Sequence, residues 1–224
     1  MACGTTSKVR KSALQFGDRE AIDNIEYADF PIPETQYKEF YLSGSGLSKE
    51  AASKTEAFSY SSEEANSIAE FSYKFTQRSR LTGLPKAVLY IQGWQAPYAP
   101  LIPFSAIPQE YKSIEDIPGK ERASHRAFNP ERSIHKQFPF HPHDKEEKIS
   151  PGEVVKLEID IWSMGVDFDE GESISVQVSG AFPCIAEYSA FSTPRPEHEK
   201  NKGEHRIHVG SETPSRVILP FVPL

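Results

Sequence analysis

Three groups of side chains have the types that chemistry needs. His141, His143 and Glu147 form the pattern H-x-H-x-x-x-E. On a strand, positions two apart share a face, so both imidazoles could meet one metal ion. Pro142 between them lacks the amide that strand pairing uses, which favours a structural loop, so neither a metal nor any other cofactor is expected. Ser124 and His125, with Glu121 and Glu131 nearby, have the types of a nucleophile, a base and an orienting acid. Neighbours on one short loop seldom reach the geometry that activation demands. The reading preferred here is that Arg122, His125, Arg126 and Arg132 donate to backbone carbonyls and carboxylates, holding a segment whose own amides lack ladder partners. Trp94 and Trp162 offer flat faces on which a sugar could stack, although core or rim packing is favoured for Trp162. Together Arg122, Ser124, His125, Arg126, Trp94 and Tyr98 outline the candidate ligand cleft.

The remaining reactive side chains read as structural. His198, His205 and His208, among Glu197, Glu199 and Glu204, read as a solvated charged loop leading into a strand. Arg216 is expected to anchor a buried carboxylate. No basic group flanks Cys184 to lower its pKa, so it reads as a small core residue.

The elements that must position these groups are short strands. Val155, Leu157, Ile159 and Ile161 share one face of the clearest strand, with Lys156, Glu158 and Asp160 opposite. Ile174, Val176 and Val178 repeat that pattern after the turn signal Asp169-Glu-Gly171, and Phe71, Tyr73 and Phe75 share another face. These three segments are expected to contribute to one core. Lys86 to Ile91 and Arg216 to Leu219 are further candidates. Ser62 to Ala69 is the one weak helical signal, long enough for two turns with a serine cap. Between Gly93 and Lys120, five prolines interrupt every possible ladder, so this stretch is expected to be a long packed loop. Asn129-Pro130 fits the start of a turn.

Composition narrows the function. A chain of 224 residues suits one large β domain, here residues 27–224 behind a mobile polar tail over 1–26. Net charge is −7, which argues against nucleic acid or an anionic membrane surface as partner. No apolar run approaches the roughly 18 residues of a membrane span, and no apolar h-region follows Lys11. Two cysteines make a disulfide framework unlikely and fit a cytoplasmic setting.

Beyond these local readings, Arg122-Ala-Ser-His-Arg-Ala-Phe-Asn-Pro-Glu-Arg-Ser133, Phe140-His-Pro-His143 and Pro151-Gly-Glu-Val154 occur in order. Phe30-Pro-Ile-Pro-Glu-Thr-Gln-Tyr-Lys-Glu-Phe-Tyr-Leu42 and Leu81-Thr-Gly83 precede them. Glu158-Ile-Asp-Ile-Trp162, Val176-Gln-Val-Ser-Gly180 and Pro214-Ser-Arg-Val-Ile-Leu-Pro220 follow. This series resembles the C-terminal β domain of the cocaine esterase and X-prolyl dipeptidyl-peptidase family of serine hydrolases. The resemblance implies an all-β fold, an antiparallel β sandwich of jelly-roll, galactose-binding-like type. It also implies that the catalytic serine, aspartate and histidine lie on a preceding α/β-hydrolase domain. These 224 residues contain no G-x-S-x-G elbow, so no catalytic residue carries over.

The function expected is therefore a stand-alone β domain of this hydrolase type, non-catalytic by itself, serving as an accessory or contacting a small molecule. Its expected partner is a separate α/β-hydrolase subunit or a small organic ligand. One alternative is a small-molecule cyclase or isomerase with a pocket lined by the 93–120 segment; another is a carbohydrate- or partner-binding module using exposed aromatics.

Overall fold

The computed structural model describes residues 25–61, 63–64, 67–93, 126–145, 147, 149–179 and 203–224, and the backbone of 101–108 and 119–122. The described residues contain no helix. They form thirteen strands: β1 (Gln36–Ser43), β2 (Gly46–Ser48), β3 (Glu56–Ser61), β4 (Ile68–Lys74), β5 (Ser79–Gly83), β6 (Lys86–Gly93), β7 (Leu101–Pro108), β8 (Gly119–Arg122), β9 (Val154–Asp160), β10 (Met164–Phe168), β11 (Ser173–Ser179), β12 (Glu204–Val209) and β13 (Arg216–Val222). Every pairing is antiparallel.

Nine strands make the larger sheet, and β4, β11, β7 and β8 make the smaller one. β6 is the centre of the larger sheet. It pairs with β9 along one edge, and with β13 and then β12 along the other. That position explains why Lys86-Ala-Val-Leu-Tyr-Ile91 is nearly continuously apolar. β13 is likewise flanked on both edges, by β1 and by β6 and β5, and runs on through Pro220.

Between the sheets lies one core, in which the alternating strands β9 and β11 meet. Val155, Leu157, Ile159, Ile161, Ile174, Val176 and Val178 are all buried there. An aromatic layer joins them, with Phe75 stacked on Phe168 at 4.4 Å and Phe40 edge-on to Tyr73 at 4.7 Å. Each such pair contributes about 0.5–1.5 kcal/mol beyond its buried area. The antiparallel sandwich is thus the fold that the alternation predicts.

Several local expectations are corrected. Ile68 and Ala69 begin β4 rather than end a helix, because Ala69 and Phe71 alternate inward against the core. The proline-rich stretch holds two strands, β7 and β8. Pro103 lies opposite Lys120 in the β7–β8 pairing and Pro108, the last residue of β7, opposite Ile174, so both prolines fall within paired register and only Phe104 to Ile107 between them is free of proline. A further strand, β10, separates β9 from the Asp169–Gly171 turn, where Gly171 takes φ +90°. His205 does not sit in a solvated loop. It is buried within β12, because alternation aims His205, Ile207 and Val209 inward.

Candidate functional site

The segment 126–150 carries no long strand, yet its backbone is well bonded. Asn129 starts its turn as the Asn-Pro dipeptide predicts: its Oδ1 accepts the amides of Glu131 and Arg132 at 3.0 and 3.2 Å. The Asn129 amide donates to the Phe140 carbonyl at 2.9 Å, and Ser133 Oγ bridges the Asn129 carbonyl and the Phe140 amide. His135 and Phe138 form a second bridge. Asx turns and hydroxyl bridges of this kind replace the missing ladder bonds.

Two clamps fasten the segment to the sheet. Lys86 Nζ donates to the Lys136 carbonyl at 3.1 Å and to Glu158 Oε2 at 2.9 Å. His141 lies between two strands of chain, with Nε2 2.9 Å from the Glu158 carbonyl and Nδ1 3.3 Å from the Ala127 carbonyl. Both partners only accept; a neutral ring donates to one of them, an imidazolium to both. Arg126 supports the far end, donating to the Glu147 carbonyl at 2.9 Å and pairing with its carboxylate at 3.2 Å.

Under this segment is a groove of about 300 Å³ lined by Arg132, Ile134, Phe138, Pro139, Phe140, His141, His143 and Asp160. Ile134 is 74% exposed at its mouth, and Phe128, beside His141, is 42% exposed. The Arg132 guanidinium stands 4.0 Å over the Phe140 ring, a cation–π contact that holds it in place. His143 takes φ +54°, uncommon outside glycine, with its ring 6.2 Å from that of His141.

Asp160 lies at the end of β9 on the face opposite the core. Burial pushes its carboxyl above the usual aspartate range, while its own amide, His141 and His143 pull the other way. Glu158, two residues earlier, has the opposite outcome. Burial raises it too, but Lys156 and Lys86 together hold it below the usual range. His135, near Lys136 and Lys86, is held below the ordinary histidine value, by burial first and those two cations second.

Of the cleft outlined from sequence only Arg126 has a described side chain, and it does not line this groove. Trp94, Tyr98, Ser124 and His125 lie outside the described residues, and Arg122 is described by its backbone in β8 alone. The 93–120 side chains proposed to line an enzyme pocket are likewise undescribed. Arg126 behaves as the preferred reading holds, bonding a carbonyl and a carboxylate. Arg132 instead stacks on Phe140. Of H-x-H-x-x-x-E, His141 and His143 reach the groove, whereas Glu147 is taken by Arg126 and Lys145. Among the described residues no three His, Cys, Asp or Glu side chains could share a metal ion. Trp162 is not in the core; it is 65% exposed just past Asp160. Arg216 pairs with Glu39 at 3.0 Å, but that carboxylate is largely exposed rather than buried.

Sequence reasoning missed Asp160, which read as part of a solvent face, and Arg132 as a groove residue. The signal available was the pair of apolar-flanked motifs Phe138-Pro-Phe140 and Ile159-Asp-Ile161, but nothing in spacing shows that one folds over the other.

Comparison with known proteins places this arrangement. The profile of the X-Pro dipeptidyl-peptidase C-terminal non-catalytic domain matches residues 2–93 and 112–218. A CocE/NonD family hydrolase from Staphylococcus aureus superposes with a TM-score of 0.78 at 27% identity, over 89% of this chain and 39% of that one. An aminopeptidase from a marine sediment Thaumarchaeota archaeon (0.60, 14% identity, 89% and 39% covered) and an α-amino acid ester hydrolase (0.52, 14%, 83% and 36%) share the fold. The chain thus spans less than two fifths of the length of these solved relatives. A search of curated proteins finds no match. No helix among the described residues is long and apolar enough to cross a membrane. With the profile covering most of the sequence, the chain belongs to the family of X-Pro dipeptidyl-peptidase C-terminal non-catalytic domains.

Proposed function

We propose that the chain serves as the accessory β domain of a CocE/NonD-type hydrolase, acting with an α/β-hydrolase catalytic part and performing no acyl transfer of its own. The observation that carries this reading is the family match over residues 2–93 and 112–218, to a domain described as non-catalytic. The chemistry of the described residues supports it. A serine hydrolase needs a nucleophile on a strained elbow, a base in reach and an oxyanion hole. His208 instead faces Gln92 Oε1 at 3.0 Å, His135 Nδ1 accepts the Gln137 amide at 3.2 Å, and His141 bridges carbonyls. The buried Ser215 hydroxyl is likewise spent on structure, donating to the His208 carbonyl and accepting the Tyr90 amide. A separate α/β-hydrolase subunit as partner, and a reducing cytoplasm as its setting, belong to this proposal.

Incubating the purified chain with aryl esters and X-Pro anilides tests it. The expected result is no turnover above buffer and no labelling by a fluorophosphonate. Turnover blocked by that reagent, and lost in Ser124→Ala or His125→Ala, overturns the reading.

A further inference from the structure

The groove under segment 126–150 contains two opposite charges that are left to solvent. Among the described side chains, Arg78 and Arg80 pair with Asp167, Arg126 with Glu147, Arg206 with Glu204 and Arg216 with Glu39. Among the described residues Arg132 has no carboxylate partner, and no lysine or arginine pairs with Asp160, which His141 and His143 face. Arg132 and Asp160 line the same cavity without pairing to each other.

Asp160 is left uncovered although a lysine lies in register with it. Lys86 stands directly opposite Asp160 in the β6–β9 ladder, yet its ammonium reaches diagonally to Glu158 and to the Lys136 carbonyl. The half-buried carboxylate takes its own amide and faces His141 and His143, but among the described residues no lysine or arginine pairs with it, and a hydrogen-bonded cation would relieve its desolvation. Arg132 is held over Phe140 with no carboxylate partner among the described residues, an arrangement that suits a ligand carboxylate. Ile134, Phe138, Pro139 and Phe140 supply the apolar lining of the same cavity.

We propose that this groove binds a small zwitterion of the amino-acid class, with its ammonium on Asp160, its carboxylate on Arg132 and its apolar side chain against Ile134 and Phe138. About 300 Å³ is at the lower end of small-molecule sites and suits a molecule of that size. His141, fixed by its two carbonyls, and His143 stand beside the carboxylate of Asp160 and report on occupancy. The proposal is independent of the accessory role, because it concerns binding and requires no catalytic partner.

The test is titration of the full chain with L-leucine, N-acetyl-L-leucine and L-leucinamide, followed by calorimetry and by histidine ring NMR. Leucine is expected to saturate with a Kd of roughly 1 mM or tighter, shifting the His141 and His143 signals. Blocking either end is expected to weaken binding about tenfold to a hundredfold, the scale of one charge-assisted hydrogen bond. Asp160→Asn should erase the preference for leucine over its N-acetyl form, and Arg132→Gln the preference over the amide, each in protein shown folded by thermal melting. Equal binding of all three compounds, absence of saturation in folded wild type, or saturation by free hexoses instead of leucine overturns the proposal.

Discussion

Lys86 is the sheet's hold on the groove, and replacing it by methionine isolates that hold. Methionine keeps the apolar stem, so the loss is confined to the ammonium and its two bonds, to Glu158 at 2.9 Å and to the Lys136 carbonyl at 3.1 Å. The pair is well shielded, with the two side chains only 11% and 17% exposed. Breaking a buried pair costs about 3–5 kcal/mol when it strands a lone charge. Here Lys156 also bonds the Glu158 carboxylate and remains after the change. The expected cost at neutral pH is therefore about 2–3 kcal/mol, the scale of one or two charge-assisted hydrogen bonds. With a urea m-value of about 2 kcal/mol per M, the unfolding midpoint falls by roughly 1–1.5 M.

The pH dependence supplies the sharper test. The carboxyl of Glu158 is held below its ordinary value, so its contribution to stability is present above the unfolded-state value of about 4.3 and is lost as pH falls through the folded value. Wild type should lose stability in acid faster than Lys86→Met, and the gap between them should narrow. A loss below about 1 kcal/mol at neutral pH, or a gap that stays constant through the carboxyl range, would refute the clamp as described.

Two further substitutions probe the core and the groove. Ile159→Ala removes three carbons from a fully buried position opposite Ala87 and is expected to cost about 2–5 kcal/mol by urea denaturation; a cost under about 1 kcal/mol would mean the site relaxes freely. Asp160→Asn should raise the melting temperature at neutral pH. The raised carboxyl of Asp160 favours the fold below the ordinary aspartate value, and this advantage disappears as pH rises through the folded value, so the ionised group is a liability that the amide lacks. The gain should vanish in acid, and a lower melting temperature at neutral pH would contradict it.

What was legible in the sequence follows from period two. β9 and β11 declare themselves because each buries one face and leaves the other polar, and the core they share is where alternation places it. Alternation fails where burial is two-sided or where prolines fall within a paired strand, as in β6 and β7. It fails differently at His205, where a charged neighbourhood conceals an inward residue beneath Tyr60. The motif Phe140-His-Pro-His143 was identifiable as a loop, but its partner surface was not. Lys156, Glu158 and Asp160 looked like a solvent-facing row, because no local pattern announces that a loop some twenty residues upstream will fold across it.

That covered row explains how one strand face yields two different carboxylates. Glu158 and Asp160 project from the same side of β9, two residues apart, and both lose solvent to the same segment. Glu158 receives the Lys86 ammonium and adds Lys156 from its own strand, so its charge is compensated by two cations. Asp160, the direct ladder partner of Lys86, receives neither. Were burial alone the design, a lysine in register would have been expected to close on it, since an unpaired half-buried charge is costly. Lys86 is instead drawn away by a second acceptor, the Lys136 carbonyl, which belongs to the segment roofing the groove. Fastening the roof and leaving Asp160 open are thus consequences of one side-chain placement, so the geometry that encloses the groove also keeps its floor charged and available.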